Sequence, residues 1–149
     1  MLNKTVINKT VTDTHAQDLA ARYVALWNEP DAELRRKAVQ ALWAEDGVHI
    51  LHPPQELREA AAELGFGAPT LEAHGYEALE LRVTRAYEEF VAPGQYVFRL
   101  GAPAVALRDV VKLHWEMVPA GGGEALGGGL EILVVGEDGR ITADYQFPG

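Results

Sequence analysis

LEILVVGEDGRITADYQF, residues 130–147, reads as two strands joined at a tight turn, and the rest of the fold follows from it. Glu131, Leu133 and Val135 alternate with Ile132 and Val134, Glu137-Asp138-Gly139 supplies turn chemistry, and Thr142, Asp144 and Gln146 alternate with Ala143, Tyr145 and Phe147. Period two on both sides of a turn is a β-hairpin. Upstream the same period predicts strands over 128–135, 107–118 and 96–100, with Gly121-Gly122-Gly123 as another turn. In residues 107–118 Val111, Leu113, Trp115 and Met117 share one face, and Lys112, His114 and Glu116 the other. The C-terminal half is therefore expected to be an antiparallel meander whose apolar face seeks a cover.

That cover lies in the N-terminal half, where the period changes to that of a helix. Thr14 and Gln17 have capping-box spacing, and Leu19, Tyr23, Leu26 and Trp27 recur on one face of a first helix. Asp31 caps a second helix presenting Leu34, Ala38, Ala41 and Leu42, and Asp46-Gly47 turns the chain into a strand over 48–52. A short amphipathic segment follows over 55–64, ending at Gly65-Phe66-Gly67-Ala68-Pro69, and reads as a lid or a surface helix. A third long helix after His74-Gly75 aligns Leu79, Val83, Ala86, Tyr87 and Phe90. The expected class is α+β, with three helices packed into a curved, mostly antiparallel sheet. Trp27, Leu42, Leu79, Val83, Tyr87, Leu113 and Trp115 are expected in its core.

Composition narrows the function. A chain of 149 residues suits one domain over 14–149, preceded by a flexible tail over 1–13. A net charge of −9 opposes nucleic acid and anionic membranes as partners, and no run of residues is apolar enough for a membrane span. The chain has no cysteine, so neither disulfides nor a thiolate nucleophile are available and a cytoplasmic location is expected. It has no serine either, which excludes serine hydrolysis. His49, His74 and His114 lack the spacing of a metal site, and no metal or cofactor is expected. The glycine runs at 121–123 and 127–129 precede no helix, which argues against phosphate loops. His15, in the first turn of the first helix, is expected to be solvated.

The blocks ARYVALWNEPD, LWAEDGVHILHPP, HGYEAL, LHWEMV and LEILVVGEDGRITADYQF, in this order across residues 16–147, resemble the cone-shaped superfamily of nuclear transport factor 2, ketosteroid isomerase and the SnoaL-type polyketide cyclases. The resemblance implies a cystatin-like cone, an apolar cavity and pairing of two copies through the outer sheet face, here Val110, Val118, Ile132, Val134, Tyr145 and Phe147. In ketosteroid isomerase an aspartate base works against an oxyanion hole of a tyrosine and a protonated aspartate. Carried over by block, that tyrosine falls on Tyr23, the base on His52 before Pro53, and the protonated acid on Glu131. Asp144, on the cavity face of the last strand, is a second acid.

With His52 facing inward, Val48 and Ile50 share its side and His49 lies opposite. The expected cavity lining is Trp27, Ile50, Leu113, Trp115, Met117 and Leu133, around the polar set Tyr23, His52, Glu131 and Asp144. No arginine is expected on the cavity face, which disfavours the epoxide-hydrolase chemistry of the limonene type. The function implied is cofactor-independent acid–base catalysis, as isomerase, cyclase or dehydratase, on a small apolar or polyketide- or steroid-like molecule. The alternatives are a non-catalytic binder of an apolar ligand or a dimeric scaffold.

Overall fold

The computed structural model describes residues 10–65 and 70–149. Helix α1 (Asp13–Trp27) and helix α2 (Ala32–Leu42) form an antiparallel pair, followed by strand β1 (Trp43–Leu51), helix α3 (Gln55–Glu63), strand β2 (Leu71–His74) and helix α4 (Gly75–Ala86). A π-helical turn, Tyr87–Val91, extends α4, and strands β3 (Tyr96–Leu100), β4 (Val105–Leu107), β5 (Val110–Pro119), β6 (Gly127–Val135) and β7 (Ile141–Pro148) complete the chain. The sheet order is β2-β1-β7-β6-β5-β3 with β4 paired to β5; β1 and β7 run parallel and every other pair is antiparallel. The α+β class and the mostly antiparallel sheet expected from the sequence are both present.

Local chemistry places the elements, with several shifts from the expectation. The cap of α1 is Thr12, whose hydroxyl accepts from His15 N at 3.1 Å, two residues before the expected Thr14. Gln17, the other half of that expected box, instead pairs its amide with the Ala104 peptide at 2.7 and 3.1 Å, tying α1 to the sheet edge. His15 is half-buried rather than solvated, and Val11 N donates to Arg108 O at 2.7 Å, so the end of the expected tail is held; residues 1–9 lie outside the described part. Asp31 caps α2 as expected, accepting from Leu34 N at 3.0 Å. The buried face of α2 is Arg35, Val39 and Leu42, with Leu34 49% exposed. Arg35 occupies that face because its guanidinium donates to the carbonyls of Glu29 and Pro30 at 2.8 and 3.1 Å and lies over the Tyr87 ring.

Among the described residues there are four α-helices, because the 55–64 segment, which reads as a lid or a surface helix, is helical over Gln55–Glu63; residues 66–69 of its glycine-rich end are outside the described residues. The expected strand over 107–118 is two strands, broken at Arg108, whose φ of 55° reverses the chain. Leu42, Leu79, Val83 and Leu113 are buried as expected, together with Leu19, Trp43 and Ile141. Trp27, Tyr87 and Trp115 are only half-buried: Trp27 and Trp115 line an opening in the core that the helices do not fill, and Tyr87 lies under the Arg35 guanidinium.

Candidate active site

Three polar side chains are sealed between α1 and the sheet. Tyr23, on α1, is 2% exposed; Glu131, on β6, 1%; Asp144, on β7, 0%. The Tyr23 hydroxyl lies 2.9 Å from Glu131 Oε1 and 2.5 Å from Asp144 Oδ2, and Trp115 Nε1 donates to Glu131 Oε2 at 2.8 Å. Alternation explains the meeting: Leu113 is the register partner of Glu131, and Leu133 that of Asp144, so both acids share the face that carries Leu113 and Leu133.

One hydroxyl proton cannot serve two carboxylates, so one of the two short contacts must use a carboxyl proton. Asp144 is the acid that keeps it: its Oδ1 has no hydrogen-bond partner, which a neutral carbonyl oxygen tolerates far better than a charged one. Burial first, and the Glu131 charge second, push its carboxyl well above the usual range. The proton order is then Asp144 O–H to Tyr23 O, Tyr23 O–H to Glu131 Oε1, and Trp115 N–H to Glu131 Oε2. Charge collects on Glu131. Burial raises its pKa from 4.5 to about 7, with hydrogen bonds, including those from Tyr23 and Trp115, working against the rise. Burial and the two neighbouring acids also push the Tyr23 hydroxyl well up, so it stays protonated. Trp115→Phe removes a donor to the charged form, and carboxyl NMR is expected to place the Glu131 titration above that of the parent.

A cavity of about 280 Å³ opens over Glu131 and Tyr23. Trp27, Phe90, Phe98, Trp115 and Met117 supply its apolar wall, Gly127 and Gly128 leave one side bare, and Gln146 adds an amide. Of the expected lining, Trp27, Trp115 and Met117 are found there. Leu113 and Leu133 are instead fully buried beneath it, and Ile50 pairs with Tyr145 on the other face of the sheet.

His52 is not part of this cluster. It is exposed, stacks on Phe147 with ring centroids 6.1 Å apart, and its backbone N–H meets Gln146 O at 3.0 Å. The buried histidine is His49, 1% exposed. His49 is the register partner of Asp144 in the parallel β1–β7 pair and so shares its inward face, whereas His52, three residues on, emerges on the opposite one. His49 Nε2 lies 2.8 Å from Gln146 Oε1, 3.7 Å from Glu131 and 3.9 Å from Asp144, and its Nδ1 lies 2.9 Å from Arg82 Nη1. Burial lowers the His49 pKa.

Arg82 is the polar group that the sequence reading did not place at the site; Gln146 falls, as that reading has it, on the cavity face of the last strand with Asp144, although not among its candidate site residues. Among the described residues, His49, Glu131 and Asp144 form a trio whose ligand atoms lie within 4.8 Å of one another. In this structure His49 Nε2 pairs with Gln146 Oε1, and the Tyr23 hydroxyl bridges the two acids.

No protein-family model and no curated protein sequence matches the chain. Solved structures do match in fold. A suspected isomerase of the SnoaL-like family from Agrobacterium tumefaciens is 24% identical, with a TM-score of 0.72 over 91% of this chain and 98% of that one. A SnoaL-like protein of unknown function from Burkholderia thailandensis is 18% identical, with a TM-score of 0.64 over 94% and 98%. A protein with a cystatin-like fold from Methylobium petroleophilum is 15% identical, with a TM-score of 0.63 over 94% and 79%. The chain shares its fold, an α+β cone, with these SnoaL-like and cystatin-like structures.

Proposed function

We propose that this protein is a cofactor-independent enzyme that moves a proton on a small, largely apolar carbonyl compound, with Glu131 as the base. The observation that carries this reading is the Glu131 carboxyl on the floor of an apolar cavity, 2.9 Å from the Tyr23 hydroxyl and 2.8 Å from Trp115 Nε1, where burial raises its pKa to about 7. A base with a pKa near the working pH is partly ionised and still strong enough to act. Glu131 takes the proton from the carbon beside the carbonyl; the electron pair of the broken C–H bond becomes the enolate C=C, and charge moves to the oxygen. Return of the proton to another carbon isomerises the molecule with no change of oxidation state. Aldol cyclisation and dehydration can begin with the same step. In this reading Asp144 and Tyr23 tune Glu131, and His52 has no catalytic role. The cavity volume, near the small end of the usual ~300–1,000 Å³ for ligand sites, suits one or two rings.

The bicyclic ketone tetralone tests the reading. In deuterium oxide the protein is expected to accelerate exchange of its α-protons, followed by NMR, while Glu131→Gln does not. Binding without exchange would support the alternative of a non-catalytic binder.

Pairing of two copies through the outer sheet face belongs to the same proposal. Tyr145 and Phe147 are 39% and 46% exposed on that face, although Val118, expected beside them, is 2% exposed. Light scattering at micromolar concentration is expected to give the mass of a dimer, and a monomer mass would count against it. No helix among the described residues is long and apolar enough to cross a membrane, and a cytoplasmic site of action is part of the proposal.

A further inference from the structure

Tyr23 spends its only proton on Glu131 in the order derived above, so it has none left for an oxygen of the ligand. Another donor is needed at the cavity floor. We propose that the Gln146 amide N–H group holds the carbonyl oxygen of the ligand, and that Arg82, acting through His49, is the positioning residue that turns the amide that way. This rests on the reading of the cavity as a site for a carbonyl compound.

The orientation follows from donor counting. A guanidinium only donates, so the Arg82 Nη1 contact of 2.9 Å makes His49 Nδ1 an acceptor. The two protons of that nitrogen are shared with the carbonyls of His49 and Leu71, both at 3.2 Å, and the ring nitrogen is the nearest of the three acceptors. The proton of the neutral imidazole is therefore on Nε2, and the Gln146 atom 2.8 Å away must be its carbonyl oxygen. The other end of that amide, an NH₂ group with two donors, makes no hydrogen bond among the described residues, and Gln146 lines the cavity. Its Cα is the register partner of Glu131, so donor and base stand side by side on one face of β6 and β7.

Side chains paired across strands in this way have Cβ atoms ~5 Å apart, close enough for a carbonyl oxygen to meet one and the adjacent carbon the other. A fixed donor aimed where charge develops favours the enolate over the ketone. The pair also sets the ligand class. An NH₂ group selects an acceptor such as a ketone, aldehyde or ester, and the Glu131 charge beside it disfavours a carboxylate. The groups facing His49 are Arg82 from α4, Gln146 and Asp144 from β7, Glu131 from β6 and Trp27 from α1.

The test reads tautomer and affinity separately in the full chain. Histidine ¹⁵N NMR is expected to show His49 protonated on Nε2 alone at neutral pH. Arg82→Met should populate the Nδ1-protonated form, and Arg82→Lys should restore the parent signature in part. Binding of tetralone and of its oxygen-free analogue tetralin is read by quenching of tryptophan fluorescence. Gln146→Leu is expected to weaken tetralone by about tenfold while leaving tetralin within about twofold, and Arg82→Met should move the same ratio in the same direction. An Nδ1 proton on His49 in the parent overturns the role of Arg82. Tetralin binding as tightly as tetralone to the parent, or a ratio unmoved by Gln146→Leu, overturns the role of Gln146. If neither compound binds, the functional reading fails and the carbonyl assignment falls with it, while the tautomer result still decides the orientation of the amide.

Discussion

Replacing Glu131 by glutamine is expected to slow α-proton exchange by about a hundred- to ten-thousand-fold, the range that a positioned general base contributes. The same substitution separates catalysis from folding. The folded pKa of Glu131 is about 7 against 4.5 for an ordinary glutamate. Folded and unfolded chains are both protonated there below about 4.5, so burial of this carboxyl then carries no ionic cost. As pH rises through that value the unfolded chain ionises first and stability falls; above about 7 the loss levels off, at roughly 3 kcal/mol. Glutamine cannot ionise, so the variant is expected to match or exceed the parent in urea unfolding well above neutrality and to lose that advantage in acid. His49 acts on the other limb, because its pKa is lowered and its protonation costs stability as pH falls below the unfolded ~6.5. A Glu131→Gln protein markedly weaker than the parent at alkaline pH would show that the carboxylate is held as a charged structural partner, contrary to its assignment as the base.

Tyr23→Phe should have the largest effect on stability among single-atom changes at this site. The hydroxyl accepts from one buried acid and donates to the other, and its loss leaves both short of a protein partner on the floor of a mostly apolar cavity. Each unsatisfied buried group costs about 1–3 kcal/mol, so a total of about 2–4 kcal/mol is expected from urea unfolding near neutrality. The penalty should grow with pH as Glu131 ionises without that donor, and the Glu131 pKa should rise further. A loss below about 1 kcal/mol, with the pH dependence unchanged, would mean that the hydroxyl does not bridge the two acids.

The sequence showed the sheet and both buried acids, the sheet and Glu131 by alternation alone. Glu131 interrupts the apolar phase it shares with Leu133 and Val135, and Tyr23 falls on the apolar face of α1; Asp144 lies in the polar phase Thr142, Asp144, Gln146, which the family resemblance, not hydrophobicity, turned inward. The first strand carried no such signal. Val48, His49, Ile50, Leu51 and His52 are apolar or histidine in both phases, so hydrophobicity does not choose which histidine points inward. The block match before Pro53 chose His52, whereas the parallel register with β7 selects His49. Strand β2 has four residues, Leu71-Glu72-Ala73-His74, too few to show a period, and exists because β1 offers it an edge. Arg82 was hidden for another reason. It neighbours Val83 on a helix whose buried face is apolar, and only the length of its side chain carries its charge around to His49. Long polar side chains reach across the boundaries that periodicity draws.

The bare wall at Gly127 and Gly128, continued along β6 by Gly129, has a further consequence for divergence among proteins of this shape. An added Cβ at Gly129 would meet the Trp115 indole at 2.5 Å and at Gly128 the Trp115 carbonyl at 2.5 Å, so those two positions are locked by the tryptophan that binds Glu131. Gly127 lines the same cavity, yet a Cβ there meets nothing within 4 Å. A mutation at this one residue can therefore change how large a molecule fits while the proton chain beneath stays intact. If Glu131 is the base proposed above, ligand range and reactivity are separately heritable in this fold, and new ligands can be explored without first giving up the chemistry.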